Sequence, residues 1–335
     1  MGWLSEYPRA VFGSVSIGCS KMNSMDGFRT LKSKGRLGRF LQKPWREKTG
    51  YIFFCMMRAF PGIVVPVRLP FGGWWLARND FVGSALLNGG FENTERSFVE
   101  HFLRPGMTVL DIGAHHGFYT LMASRKVGSQ GRVIAVEASQ RERDKLHRHL
   151  RMNGCKNVCV VACALGEAQG TAELYLVGGG ETGCNSLRPP DVARPTTRIA
   201  VSVETLDGVL QSHKVDRVDF IKMDVEGAEF SVLKGARELL NNRPRPAILI
   251  EVYDIRTRPW GYAARDIVRY LTALEYHWFS PLPGGKIEEL NPEKLEYAGN
   301  FVAVPIEGLA RVQDMIIDAK HHPSTLNAQR SPLIS

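Results

Sequence analysis

Acidic side chains recur where apolar runs end in this 335-residue chain. Thr108-Val-Leu-Asp-Ile leads into Gly113-Ala-His-His-Gly117, so Asp111 stands two positions before a loop bounded by glycines. Arg132-Val-Ile-Ala-Val ends in Glu137. Val218-Asp-Phe-Ile-Lys-Met ends in Asp224, with Glu226 and Glu229 just beyond, and Ala247-Ile-Leu-Ile is followed by Glu251. Ligands of open parallel sheets bind outside the carboxyl ends of the strands. Four such runs side by side would therefore edge one crevice with carboxylates.

The glycine loop narrows the choice of occupant. A dinucleotide fingerprint needs G-x-G-x-x-G, which seats the pyrophosphate on a helix start. Here three residues separate Gly113 from Gly117. A carboxylate beside the loop would repel a pyrophosphate, but it suits a ligand with an ammonium group, hydroxyls and a sulfonium. S-adenosyl-L-methionine (SAM) has all three. Glu137, about 20 positions past the loop, is placed to accept hydrogen bonds from ribose hydroxyls. Asp111 is expected beside the methionine portion, with Gly113, Ala114, His115 and Gly117 on the loop. Ala138 follows Glu137, and Ala164 and Leu165 are expected against the adenine. Asp224 is expected to face the methyl donor or acceptor. Glu226 is the expected general base, because neighbouring carboxylates raise one another's pKa. Glu229 reads as a first-turn acid favoured by a helix dipole. Glu251 reads as an ion-pair partner of Lys222 or as part of an acceptor pocket. Neither His115 nor His116 has an expected carboxylate partner. No metal is expected, since no histidine or second acid cluster with ligand spacing accompanies these acids.

The elements that must position these residues alternate. After the glycine loop, Leu121, Met122 and Val127 sit on a helix that Gly128 stops. Ser139-x-x-Glu142 has the form of a capping box opening the next helix. Asn157 to Cys163 reads as a third strand, and Phe230 to Leu240 repeats apolar residues at helical spacing. This βαβ rhythm predicts a doubly wound, mostly parallel sheet of seven strands with helices on both faces. Between the third and fourth strands lie two further strand-like runs and a short helix after Thr205. They flank a glycine-rich stretch, Gly178 to Ser186, that suits a substrate lid or equally an ordinary long connection. The expected organisation is a basic leader over 1–49, an N-terminal cap over 50–91, the catalytic domain over 92–305, and a helix and tail over 306–335.

Asp111-Ile-Gly-Ala-His-His-Gly-Phe-Tyr-Thr120, Val136-Glu137, Ala164-Leu165-Gly166, Glu204-Thr-Leu-Asp207 and Ile250-Glu251 resemble successive motifs of the FkbM-type methyltransferases. So does Ile221-Lys-Met-Asp-Val-Glu-Gly-Ala-Glu-Phe-Ser-Val-Leu-Lys-Gly-Ala236. The resemblance covers most of the chain. It implies a class I methyltransferase-like fold, SAM as cofactor, and O-methylation of a hydroxyl on a sugar, glycan or secondary metabolite. One position departs: the family usually carries asparagine where this chain has His115. Two other functions compete. An NAD-dependent oxidoreductase needs the glycine spacing that is missing. A non-catalytic Rossmann-like binding module is opposed by the retention of every cofactor-end acid.

Charge and cysteines bound the rest. The net charge of +9 is concentrated in residues 1–50, where ten Lys/Arg face three Asp/Glu. The catalytic region is nearly neutral, and the leader's charges read as a solvated basic segment, so a nucleic-acid partner is not expected. The acceptor is expected to be a small molecule or glycan. Cys155, Cys159 and Cys163 miss metal-cluster spacing, with Cys159 and Cys163 expected on one buried strand face. They read as reduced thiols of a cytoplasmic protein. Tyr51 to Val67 is apolar but short for a membrane span and carries Arg58, Pro61 and Gly62. It reads as a helix and strand of the cap, with weak peripheral membrane contact as a minor role.

Overall fold

A computed structural model describes residues 52–317 except 54, 58, 61, 89, 180, 181, 191–193 and 295. The leader over 1–49 and the tail from 318 lie outside the described residues. The chain enters through an antiparallel pair, β1 (Val65–Arg68) and β2 (Trp74–Ala77), then helices Phe81–Leu87 and Asn93–Phe102. Asp80 caps the first helix by accepting from the Gly83 N–H at 2.7 Å.

The main sheet is assembled from β3 (Thr108–Ile112), β4 (Arg132–Val136), β5 (Val158–Val161), β9 (Phe220–Met223), β10 (Ala247–Tyr253), β11 (Tyr276–Pro281), β12 (Ile287–Glu289), β13 (Ala298–Pro305) and β14 (Ile316–Ile317). Their spatial order is β14-β12-β11-β13-β10-β9-β3-β4-β5. Nine strands therefore stand where seven were expected. The seven from β11 to β5 form the doubly wound body, and the short β12 and β14 extend its far edge. Five neighbouring strands, β10-β9-β3-β4-β5, run parallel, whereas β13 is antiparallel to both β10 and β11. β3, β9 and β10 are apolar on both faces because helices cover both. Phe220, Ala247 and Leu249 join one buried cluster, while Leu110, Ile221 and Ile248 join the other. From β3 the chain winds outward through β4 and β5, then returns to lay β9 on β3's other side. Strand order reverses there.

A second, three-stranded sheet, β6 (Ala164–Leu165), β8 (Thr196–Glu204) and β7 (Gly170–Val177), fills the interruption between β5 and β9. The expected third strand stops at Val161, so Cys163 does not share its face with Cys159. Cys163 is instead buried at the start of this side sheet. Cys55, Cys155, Cys159 and Cys163 are free thiols, whereas Cys184 is disulfide-bonded, contrary to the expectation of reduced cysteines throughout. Residues 306–317 form two short 3-10 turns, Ile306–Arg311 and Gln313–Met315, and then β14, in place of the expected helix. Among the described residues no helix is long and apolar enough to cross a membrane.

Candidate active site

At the reversal between β3 and β9, a cavity of about 610 Å³, its open mouth included, is lined by the carboxyl ends of three strands. Ile112 ends β3 and Gly113 follows it, Val136 ends β4 with Glu137 and Ala138 after it, and Asp224, Val225 and Glu226 follow β9. His115, Ala164 and Leu165 complete the wall that concerns a cofactor. The structure thus brings together Gly113, His115, Glu137, Ala138, Ala164, Leu165, Asp224 and Glu226. It places Asp111, Ala114 and Gly117 behind the lining. Asp111 is buried on β3 and accepts from the Thr120 hydroxyl, while Ala114 packs in the core. Gly117 takes the left-handed conformation that starts the helix Phe118–Val127, with Leu146 against its Cα.

The glycine loop is stitched down from both sides. Gly113 and Ala114 donate to the Val136 carbonyl, each at 3.0 Å. Glu137 accepts from the His115 N–H and the Ser139 N–H, each at 2.8 Å, through different carboxylate oxygens. Burial raises its pKa to about 7, against the hydrogen bonds from Ser139 and His115. Each oxygen retains a lone pair for ribose hydroxyls. The residues present therefore fit SAM: a glycine cradle, a carboxylate lining the cavity, and an apolar shelf of Ala138, Ala164 and Leu165 for the base.

Glu142 does not close the expected capping box. It is fully buried and takes His116 Nε2 at 2.6 Å and Lys145 at 2.9 Å. The box fails because these cations and the ring claim the carboxylate, and the Ser139 hydroxyl is left without a partner. Burial alone would raise the pKa of Glu142, but the His116 hydrogen bond and the neighbouring His115 and Lys145 hold it well below the usual carboxylate range. His116 thus has a carboxylate partner after all, with Asp80 at 3.7 Å on its other nitrogen. Sequence reasoning missed it because the capping-box pattern gave Glu142 another role. His115 stacks on His116 at 3.6 Å, and burial holds its pKa well below 6.5, so it is neutral at pH 7.

On the opposite wall, Lys222 pairs with Asp224 at 3.1 Å rather than with Glu251. Both residues alternate onto one face of β9, a signal the Lys-x-Asp spacing carried. Burial works against the Lys222 ammonium, but Asp224, Glu92 and Asp111 outweigh it and hold the charge. Glu92, unremarked in the sequence, accepts from the Tyr119 hydroxyl at 2.6 Å, and burial lifts its pKa to about 7. Glu226 has φ 55° and stands 3.0 Å from Arg256, a partner that sequence reasoning left without a role. Burial raises the pKa of Glu226 against the pull of Arg256. Glu229 is the first residue of the helix Glu229–Lys234, and it accepts from the Val225 and Gly227 N–H groups at 2.9 and 3.4 Å. It shapes the turn that aims Glu226. Glu251, singled out in the sequence as an ion-pair or pocket acid, instead joins an acid cluster that the spacing did not reveal: oxygens of Asp224, Glu229 and Glu251 lie within 4.8 Å of one another. Tyr262 donates to the Gly227 carbonyl and so braces the same turn.

A doubly wound sheet with a glycine loop, a strand-end acid in the cavity and a second acidic wall at the reversal defines a class I methyltransferase-like protein. Residues 111–278, half of the chain, match the Methyltransferase FkbM domain, and the chain belongs to that family, whose methyl donor is SAM. It is 29% identical over 158 residues to "Methyltransferase sdnD" of Sordaria araneosa, covering 39% of this chain and 60% of that one. It is 26% identical over 147 residues to "Methyltransferase 1" of Beauveria bassiana, covering 38% and 57%. The matched region thus spans about three fifths of these relatives. Among solved structures, an O-methyltransferase from Bacillus cereus in complex with SAH is similar with a TM-score of 0.38 and 14% identity, covering 78% of this chain and 90% of that one.

Proposed function

We propose that the protein transfers the methyl group of SAM to a hydroxyl of a sugar, glycan or secondary metabolite. One observation carries this reading: Asp224 lines the cofactor cavity and its carboxylate lies within 4.8 Å of Glu251, so carboxylates continue from the donor's pocket toward the acceptor side. A hydroxyl acceptor must lose a proton during transfer, and carboxylates can take it. Methyl transfer is an in-line displacement, so alignment of oxygen and methyl supplies much of the acceleration. Asp224, fixed by Lys222, orients the donor end of the cavity. Glu226 faces the same cavity but is held by Arg256, which counts against it as the proton acceptor.

Methyl-labelled SAM offered with a panel of hydroxylated glycans and polyols tests the reading. Label in an alkali-stable product is the expected result, because methyl ethers survive base and methyl esters do not. Label released by alkali as methanol would overturn the hydroxyl assignment.

A further inference from the structure

Among the described residues, seven buried side-chain polar atoms have no hydrogen-bond partner, and five gather at one place: Glu226 Oε2, Glu251 Oε2, Arg256 Nε, Trp260 Nε1 and Asn300 Oδ1. Glu251 and Asn300 are opposite one another in the β10–β13 register. Glu226 Oε2 and Arg256 Nε are paired as ions at 3.0 Å, which leaves Glu251 Oε2, Trp260 Nε1 and Asn300 Oδ1 for a ligand to complete. Trp260 closes on Gly227, where an added Cβ would lie 2.7 Å from the indole nitrogen. Arg188 lies over the Trp260 ring at 5.0 Å, and the Ser186 hydroxyl donates to the Glu226 carbonyl at 3.0 Å. The segment carrying Ser186 and Arg188 therefore roofs this wall. Buried polar groups without partners are costly, and they collect where a ligand completes them.

The mixture of groups selects the ligand. A divalent cation would use the oxygens of Glu251 and Asn300 but would leave the Trp260 N–H unsatisfied. A hydroxyl both donates and accepts. We infer that Glu251, Asn300 and Trp260 form the acceptor subsite, that it takes a neutral ligand presenting neighbouring hydroxyls, and that Glu251 receives the proton of the hydroxyl being methylated. In that step the acceptor oxygen bonds to the methyl carbon as the carbon–sulfur bond breaks. Sulfur leaves with the electron pair as a neutral thioether, and the hydroxyl proton passes to the Glu251 carboxylate. The subsite rests on the methyltransferase reading above.

The full chain saturated with S-adenosylhomocysteine, with ¹⁵N-labelled indoles, provides the test. The Trp260 indole resonance is identified by Trp260→Phe. Methyl α-D-glucopyranoside and myo-inositol are the probes, both neutral and rich in adjacent hydroxyls. At least one is expected to move that resonance, and Asn300→Ser and Glu251→Gln are each expected to weaken the effect about tenfold while leaving S-adenosylhomocysteine affinity unchanged. With an acceptor from the labelling panel, Glu251→Gln lowers kcat by about 100-fold or more, and Glu251→Asp recovers part of it. If S-adenosylhomocysteine does not bind, the methyltransferase reading fails and the subsite with it. If it binds but neither probe moves Trp260, or the shift survives both substitutions, the subsite alone is overturned. Broadening of the Trp260 resonance by Mn²⁺ with no response to either probe would replace it with a cation site.

Discussion

A methyl group added to Gly113 would lie 1.9 Å from the Asp224 carbonyl oxygen, and the residue's φ is 77°. β3 and the turn after β9 thus meet with no room for a side chain, and neither backbone can retreat without opening the cavity. Gly113→Ala is expected to cost about 3 kcal/mol of stability, from strain and backbone displacement together. Denaturant titration measures it, and a midpoint equal to wild type would sink the close-approach argument. Glu137 is the complementary case: its carboxylate holds the loop, and we propose that it also takes the cofactor ribose. Glu137→Gln retains the shape but loses the charge and one acceptor oxygen, so SAM affinity should fall about tenfold to a hundredfold by calorimetry. Unchanged affinity would remove Glu137 from the ribose site. Asp224, Glu137 and Gly113 were legible in the sequence because each closes a strand and strand ends converge in this architecture. Glu251's unpartnered oxygen and the Trp260 indole were not. Their significance depends on neighbours from β13 and from the loop after β10, which no spacing rule connects.

The helix Gln140–Met152 contributes more through one buried carboxylate than through its exposed charges. Glu142 ties it to the glycine loop by way of His116 and to its own next turn by way of Lys145. Arg141, beside it, donates to the Val177 carbonyl at 3.0 Å and to Asn185 at 3.2 Å, which fastens the side sheet's hairpin and the roof to the same helix. Removing the Glu142 carboxylate would deprive the buried His116 ring and the partly exposed Lys145 ammonium of their shared partner, at the lower end of the about 3 to 5 kcal/mol that breaking a buried pair typically costs. Glu142→Ala is accordingly expected to lose about 3 kcal/mol by denaturant unfolding and to weaken SAM binding, because His115 and His116 would no longer be held. Loss of stability with no change in affinity would separate the helix from the cofactor loop. Helix and strand periods were readable here because apolar residues repeat cleanly, and the roof's position was not. The glycine-rich stretch showed an interruption, but only Ser186 on Glu226 and Asn185 on Arg141 say where it folds back.

Across the whole molecule, titrating groups are buried in two sets with opposite consequences. Glu92, Glu137, Glu226, Glu229 and Glu251 have folded-state pKa values raised above the ordinary 4.5, chiefly by burial, with Glu92 and Glu137 reaching about 7. A raised carboxyl contributes stability that is complete below its unfolded pKa and is lost as pH rises through its folded one. His115, His116 and His149 are depressed by burial, His149 to about 4, so they contribute stability above 6.5 that is lost as pH falls. Between about pH 7 and 8 the histidines are mostly neutral in both states, and the raised carboxyls set the slope. The free protein should therefore lose thermal stability across that window. SAM brings positive charge to a crevice whose acids are then ionising, so its affinity should rise over the same interval and its binding should release protons at pH 6.5. Calorimetry in two buffers of different ionisation enthalpy, alongside melting curves of the free protein, measures both effects. A melting temperature that climbs from pH 7 to 8, or binding without proton release, would mean that these acids are already ionised and that the cofactor's charge is met elsewhere.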